Sequence, residues 1–379
     1  MWKLTVFVLN LILGYVYSAC TTPLGVRSEC VNIYDCPEIV KAFEVRPLPT
    51  HMVSFLKQSQ CGFDGYTPKV CCGPVPQQPA TTPRPTTRAP LVNQDSGRID
   101  PVNNEDSTPS TRCGIDEGGD RIYGGQITDL DEFPWMALMG YRSIKRNNSL
   151  TYQCGGVLIN RRYVLTAAHC IVGQIETQVG RLATVRLGEY DTQTDIDCLQ
   201  SDCADPPQEI PIHSARAHSG YVDKNKHRHN DIGLVRLARR VRLTHFVAPI
   251  CLTSADFRVN PGNDVHVAGW GQTLSGRNSD VKLKLRMPLF DKENCIVKYR
   301  TLGVDLGDGQ ICAGGGFAQD SCRGDSGGPL MRQKPDGIWE AVGVVSFGYG
   351  CGRADWPGVY TSVAKYRGWI EDTMRNSNV

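Results

Sequence analysis

The 379-residue chain has no excess of charge of either sign: 41 Lys and Arg stand against 39 Asp and Glu, a formal balance of +2. Near-neutrality excludes nucleic acid or an anionic membrane surface as a partner recognised through bulk charge, since both demand a basic field. Beyond Val16 no apolar run approaches the roughly 20 residues that a membrane-spanning helix needs. Internal repeats and heptads are also lacking, which removes solenoids and coiled coils. His213, His218, His227, His229 and His245 lack the spacing of zinc ligands, and His227-Arg228-His229 reads as a loop on the rim of a cleft. With 40% hydrophobic residues the chain is not disordered, and its length admits two or three domains.

Cysteine is what the chain has in plenty. Sixteen cysteines are a liability in a reducing cytosol but form up to eight disulfides outside it, so the composition predicts secretion. The N-terminus agrees: Lys3, the apolar run Leu4 to Val16 and small Ser18 and Ala19 read as a cleavable signal peptide over residues 1–19. In a secretory context Asn147-Asn148-Ser149 becomes a glycosylation site at Asn147.

The cysteines fall into two groups. Cys20, Cys30, Cys36, Cys61, Cys71 and Cys72 occupy residues 20–72, a stretch too short to rely on a hydrophobic core, so three disulfides would staple it. Spacing leaves 15 connectivities open, with adjacent Cys71 and Cys72 bonding to different partners. Residues 73–112 shift to Pro, Thr, Gln, Ser and Asn, the composition of an extended tether. After Cys113 come short apolar or alternating segments between turn residues, such as Gly156-Val157-Leu158-Ile159, Thr184-Val185-Arg186-Leu187 and Val342-Gly343-Val344-Val345. These predict an all-β sandwich or barrel, with one helix from Ala364 to Met374.

Three motifs follow one another there. Ala167-Ala168-His169-Cys170 ends an apolar strand, with Cys154 near enough in sequence to be tied to Cys170. Asn230-Asp231-Ile232-Gly233-Leu234 opens another strand, and Gly324-Asp325-Ser326-Gly327-Gly328-Pro329 surrounds a serine with glycines. Singly, each reads as a core histidine, a strand cap or a tight turn. Jointly they are the three groups that nucleophilic catalysis by a hydroxyl requires: Ser326 to attack, His169 to take its proton, and Asp231 to fix the imidazole tautomer.

Order and flanking residues strongly resemble the chymotrypsin-like, trypsin-family serine proteases over residues 122–379. The resemblance implies two antiparallel six-stranded β-barrels with the site between them and a C-terminal helix. It implies an oxyanion hole from the backbone N–H groups of Gly324 and Ser326, and no required cofactor. Asp320 would lie at the base of the primary pocket, with Gly348 and Gly358 as its walls and Ser346 on the substrate-pairing edge. A carboxylate there implies cleavage after Arg or Lys. Ser346-Phe347-Gly348 departs from the family's usual Ser-Trp-Gly, which alters the apolar wall, and Pro357 replaces the Tyr of sodium-responsive members, so no sodium activation is expected.

Asp120-Arg121-Ile122 resembles the family's activation junction, over residues 113–121. A cut after Arg121 would free the Ile122 amine to pair with Asp325. Arg121 also suits an Asp320 pocket, which permits self-activation, but Asp116, Glu117 and Asp120 make the junction acidic and favour a separate upstream trypsin-like protease. The resemblance further implies Cys154–Cys170, Cys295–Cys312, Cys322–Cys351 and Cys113–Cys251, the last holding the two chains together after cleavage, with Cys198 left to pair with Cys203. Glu189, with Asp195, Asp197, Asp202 and Asp205, stands where related enzymes hold structural calcium; a plain solvated acidic loop is the competing reading.

The pattern Cys20-x9-Cys30-x5-Cys36-x24-Cys61-x9-Cys71-Cys72 resembles the clip domain of arthropod proteases and implies Cys20–Cys71, Cys30–Cys61 and Cys36–Cys72. Such enzymes act in hemolymph cascades on other zymogens, prophenoloxidase or a cytokine precursor of the Spätzle type, with a serpin as inhibitor. The alternative is a non-catalytic clip homologue acting as an adaptor, a class that has lost the nucleophile this chain keeps at Ser326.

Overall fold

The computed structural model describes residues 19–42, 55–56, 58–64, 67–75, 104–116, 126–143, 148–199, 202–273, 277–316, 324–350, 353 and 355–376. The chain divides into two compact units, residues 1–90 and 91–379. Among the described residues no helix is long and apolar enough to cross a membrane.

In the first unit four short antiparallel strands lie in the order Ala19–Thr21, Arg27–Asn32, Thr67–Cys71, Gln60–Asp64. Among the described residues its buried apolar centre is small, Cys36, Ile39 and Val70 in one cluster with Phe55 also buried. That is too small to hold a fold, and three cross-links stand in for it: Cys20–Cys71, Cys30–Cys61 and Cys36–Cys72.

The second unit contains two closed six-stranded antiparallel barrels. Strands β1 (Met136–Ser143), β2 (Leu150–Leu158), β3 (Tyr163–Thr166), β4 (Gly180–Leu187), β5 (Gln208–Ala217) and β6 (Gly233–Leu237) close in the order β1-β2-β3-β6-β5-β4. Strands β7 (Asp264–Gly269), β8 (Leu283–Phe290), β9 (Gln310–Gly314), β10 (Pro329–Gln333), β11 (Trp339–Phe347) and β12 (Pro357–Ser362) repeat that order as β7-β8-β9-β12-β11-β10. Val157, Val164, Leu165, Val185, Ile210 and Val235 fill the first barrel, and Val265, Met287, Leu289, Leu330, Val342 and Tyr360 the second. Closure leaves no unpaired edge along these apolar strands.

The C-terminal helix runs Val363–Asn376, slightly longer at both ends than expected. Val363, Ile370 and Met374 recur at helical spacing and are buried. Arg367 fastens the helix to the carbonyls of Leu252 and Thr253, at 2.8 and 2.9 Å.

Part of the expected tether is not a tether. Residues 104–112 lie against the protease unit: Asp106 is buried and ion-paired with Arg240 at 3.1 Å, and Asn160 Nδ2 donates to the carbonyls of Asp106 and Thr108. Ser110 N–H donates to the Ile159 carbonyl at 2.9 Å. Polar groups make this contact, so apolar content could not reveal it. Beyond it, Cys113 is bonded to Cys251, and Gly114 exchanges backbone hydrogen bonds with Pro249 and Trp339.

Candidate active site

Each candidate side chain lies close to the end or the start of a strand. Apolar β3 ends at Thr166, and the 3-10 turn Ala168–Cys170 turns His169 out of the wall, leaving 15% of its side chain exposed. The disulfide Cys154–Cys170 ties that turn to β2. Asp231 precedes β6 and is completely buried. Its Oδ1 accepts from the His169 backbone N–H at 2.9 Å, and its Oδ2 from His169 Nδ1 at 2.7 Å and Ser346 Oγ at 2.6 Å. Thr361 Oγ1 donates to the Asp231 carbonyl at 2.7 Å. Burial by itself would push the Asp231 carboxyl up, but the His169 ring and the donors from His169 and Ser346 outweigh it and hold the pKa below its ordinary value. An ionised carboxylate only accepts, so His169 carries its proton on Nδ1 and leaves Nε2 as the basic nitrogen.

Ser326 is partly exposed on the loop that leads into β10 of the second barrel. Its carbonyl accepts from Gly155 N–H on β2 at 2.8 Å, and the next N–H, of Gly327, donates to Val345 on β11 at 2.9 Å. Gly327 has φ 82°, and a Cβ there would stand 2.2 Å from Thr166 Oγ1 and 2.6 Å from the Gly155 carbonyl. Only glycine fits between the two barrels at that point. Gly324, at φ 104°, passes so close to Gly271 that a Cβ would lie 2.8 Å from its Cα. Asp325 is held by the same residue, its Oδ1 accepting from Gly271 N–H at 2.9 Å.

Of the remaining expected residues, Ser346 and Gly348 lie at and just beyond the end of β11, and Gly358 pairs with Ala313 across β12 and β9. Asp320, Arg121, Ile122, Asn147 and the pair Cys322 and Cys351 lie outside the described residues. Cys295–Cys312 and Cys198–Cys203 are bonded, the latter closing a two-stranded hairpin.

The acidic loop does not gather calcium ligands. Among the described residues the oxygens of Glu189, Asp195, Asp197, Asp202 and Asp205 form no metal-ligating cluster. Glu189 is buried and ion-paired with Arg186, a cation where calcium would need to be. Asp197 is buried as the loop's internal acceptor, taking the N–H groups of Tyr190 and Asp191 and the Thr194 hydroxyl. Asp205 pairs with Arg242 at 3.3 Å, while Asp195 and Asp202 are exposed. Glu189, Asp197 and Asp205 are committed within the protein, and Asp195 and Asp202 lie exposed outside any cluster of described ligands, a set that does not fit the ion.

Two residues of the site were not foreseen in their observed roles. Ser346, expected on the substrate-pairing edge, also uses its hydroxyl to complete the shell around Asp231. Arg228, expected in a loop on the rim, donates through Nη1 to the Ser346 carbonyl at 3.1 Å. No local signal marks either, because both contacts join residues more than a hundred positions apart.

Comparison with known proteins agrees with this geometry. A family model described as Trypsin matches residues 122–370, and one described as the regulatory CLIP domain of proteinases matches residues 20–72. Phenoloxidase-activating enzyme 1 of Spodoptera litura is 61% identical over 384 residues, covering 100% of both chains. CLIP domain-containing serine protease B9 of Anopheles gambiae is 42% identical, covering 94% of this chain and 92% of that protein. Among solved structures, the Drosophila Grass clip serine protease of the Toll pathway aligns with a TM-score of 0.60 at 31% identity, covering 96% of this chain and 99% of the other.

Proposed function

From the premise that the chain belongs to the trypsin family of serine proteases and carries a clip domain, we propose that it is a secreted zymogen, switched on by cleavage after Arg121. The chain is a trypsin-like serine endopeptidase that needs no cofactor. The observation carrying the mechanism is the buried Asp231, clasped twice by His169 and once by Ser346.

In this reading His169 Nε2 takes the Ser326 hydroxyl proton as Oγ attacks the scissile carbonyl. Asp231 holds the ring and stabilises the imidazolium that forms. The N–H groups of Gly324 and Ser326 receive the oxyanion, and the glycine at 324 keeps a side chain from displacing that donor. His169 then protonates the leaving amine, and water releases the acyl group from Ser326 by the same steps in reverse. Asp320 selects Arg or Lys before the scissile bond. After activation the Ile122 amine pairs with Asp325, whose seat against Gly269 and Gly271 excludes side chains at both positions.

The cascade is the one that activates prophenoloxidase, a reading supported by the 61% identity to a phenoloxidase-activating enzyme over both whole chains. The enzyme would work outside the cell in hemolymph, between an upstream protease that cuts after Arg121 and a protein zymogen downstream, and under a serpin. Processing of a Toll-pathway cytokine precursor is the second reading, supported by the likeness to Grass. The test begins with hydrolysis of an arginine ester after cleavage behind Arg121, with Ser326→Ala as control. Incubation with prophenoloxidase and with a Spätzle-type precursor, followed by sequencing of new N-termini, assigns the substrate. No ester hydrolysis above the Ser326→Ala background would leave only the adaptor reading.

A further inference from the structure

Residues 222–230 form the loop ahead of Asp231, and the second barrel holds it in place. Gln310 on β9, 1% exposed, donates through Nε2 to the carbonyls of His227 and Arg228 at 2.9 and 3.3 Å. His227 Nδ1 accepts from Asp305 N–H at 2.9 Å. Arg228 itself sits at φ 45°, a left-handed conformation that a long side chain keeps only where its surroundings impose it. The guanidinium is therefore aimed by the fold. It reaches the carbonyl of Ser346, the bulged residue between Val345 and Phe347 in the pairing of β11 with β12. Among the described residues it has no carboxylate partner.

Arg228 thus stands on the expected substrate-pairing edge, on the residue whose hydroxyl holds Asp231. A peptide that lies extended along this edge with its Arg or Lys in the primary pocket turns the preceding side chain to the opposite face, because side chains alternate along a strand. That face carries His169 and residues 222–230. Pairing with the edge also competes for the Ser346 carbonyl and frees the guanidinium for another acceptor. A carboxylate on the preceding residue supplies a charge-assisted, bidentate replacement; a neutral side chain supplies less, and Lys repels.

We propose that Arg228 is a specificity-determining residue that selects Asp or Glu immediately before the scissile Arg or Lys. The proposal rests on the trypsin-like reading of Asp320 given above. One sequence with that pair is in the chain itself, where Asp120 precedes Arg121. Arg228 accepts the same acidity, so a second copy of this chain is a further substrate, cut in addition to the upstream protease's own cleavage after Arg121.

The test uses full-length enzyme cleaved behind Arg121 and three chromogenic peptides, Ala-Asp-Arg, Ala-Asn-Arg and Ala-Lys-Arg p-nitroanilides. A partly buried ion pair predicts kcat/KM about 10-fold higher for Asp than for Asn, shrinking as sodium chloride rises from about 50 to about 500 mM. Arg228→Gln should bring the Asp to Asn ratio to about one, and Arg228→Glu should place Lys first. A peptide of residues 114–126 should lose a similar factor on Asp120→Asn. Equal rates on the Asp and Asn peptides, or a preference that survives Arg228→Gln, refute the role of Arg228 and leave the protease reading intact. No hydrolysis of any peptide after verified cleavage refutes both.

Discussion

Replacing Ser346 by Ala removes one hydroxyl from the shell of Asp231 and little else. Asp231 is completely buried, and its Oδ2 then keeps only His169 Nδ1. A hydrogen bond to a charged group in such a place is worth about 1.5–3 kcal/mol, so the cleaved variant should unfold about 2 kcal/mol more easily in urea. If the same bond holds Asp231, and through it His169, in the reactive orientation, kcat/KM for an arginine ester should fall about 10- to 100-fold, mostly in kcat. The Ser346 bond is among the causes that hold Asp231 below its ordinary pKa of 3.8. A lowered carboxylate pKa gives stability that is present above the unfolded value and lost as pH falls through the folded one, so the variant should lose less stability on acidification below about pH 4. Thr361→Val is the control, since Thr361 donates to the Asp231 backbone carbonyl and not to the carboxylate. It should cost about 1–2 kcal/mol of stability with a far smaller effect on kcat. A Ser346→Ala enzyme with kcat/KM within about twofold of the parent would refute the reasoning, because a bond worth 1.5 kcal/mol or more in the reaction cannot vanish so quietly.

Further measurements reach other parts of the molecule. Because Arg186 occupies the carboxylate of Glu189, the melting temperature should be the same in calcium and in chelator; a calcium-dependent rise of several degrees would restore the metal reading. His266 on β7 packs against Trp339, and burial, reinforced by Arg286, pushes its pKa down to about 4. The unfolded chain therefore binds a proton that the folded one refuses between about pH 6.5 and 4, and stability should drop by about 2 kcal/mol from pH 7.5 to pH 5, a slope that His266→Gln should flatten. Cleavage behind Arg121 should release no fragment on a non-reducing gel, whereas the double variant Cys113→Ser, Cys251→Ser should let the N-terminal piece separate.

The chain by itself determined the fold class, the order of the two units and the reactive trio. Those features are written locally: apolar runs such as Val342 to Val345 make barrel strands, cysteine spacing marks the small first unit, and glycines flank Ser326. Only the tertiary structure decided how the trio is supported and which charges are already committed. Ser346 meets Asp231 across 115 positions, Arg228 meets the Ser346 carbonyl across 118, and Asp106 pairs with Arg240 across 134. The acidic loop shows the same limit from the other side, since the composition that invites calcium is cancelled by an arginine three residues from Glu189. Side-chain type states what a group can bind; barrel closure brings together residues distant in the chain, and that proximity states what each group has bound.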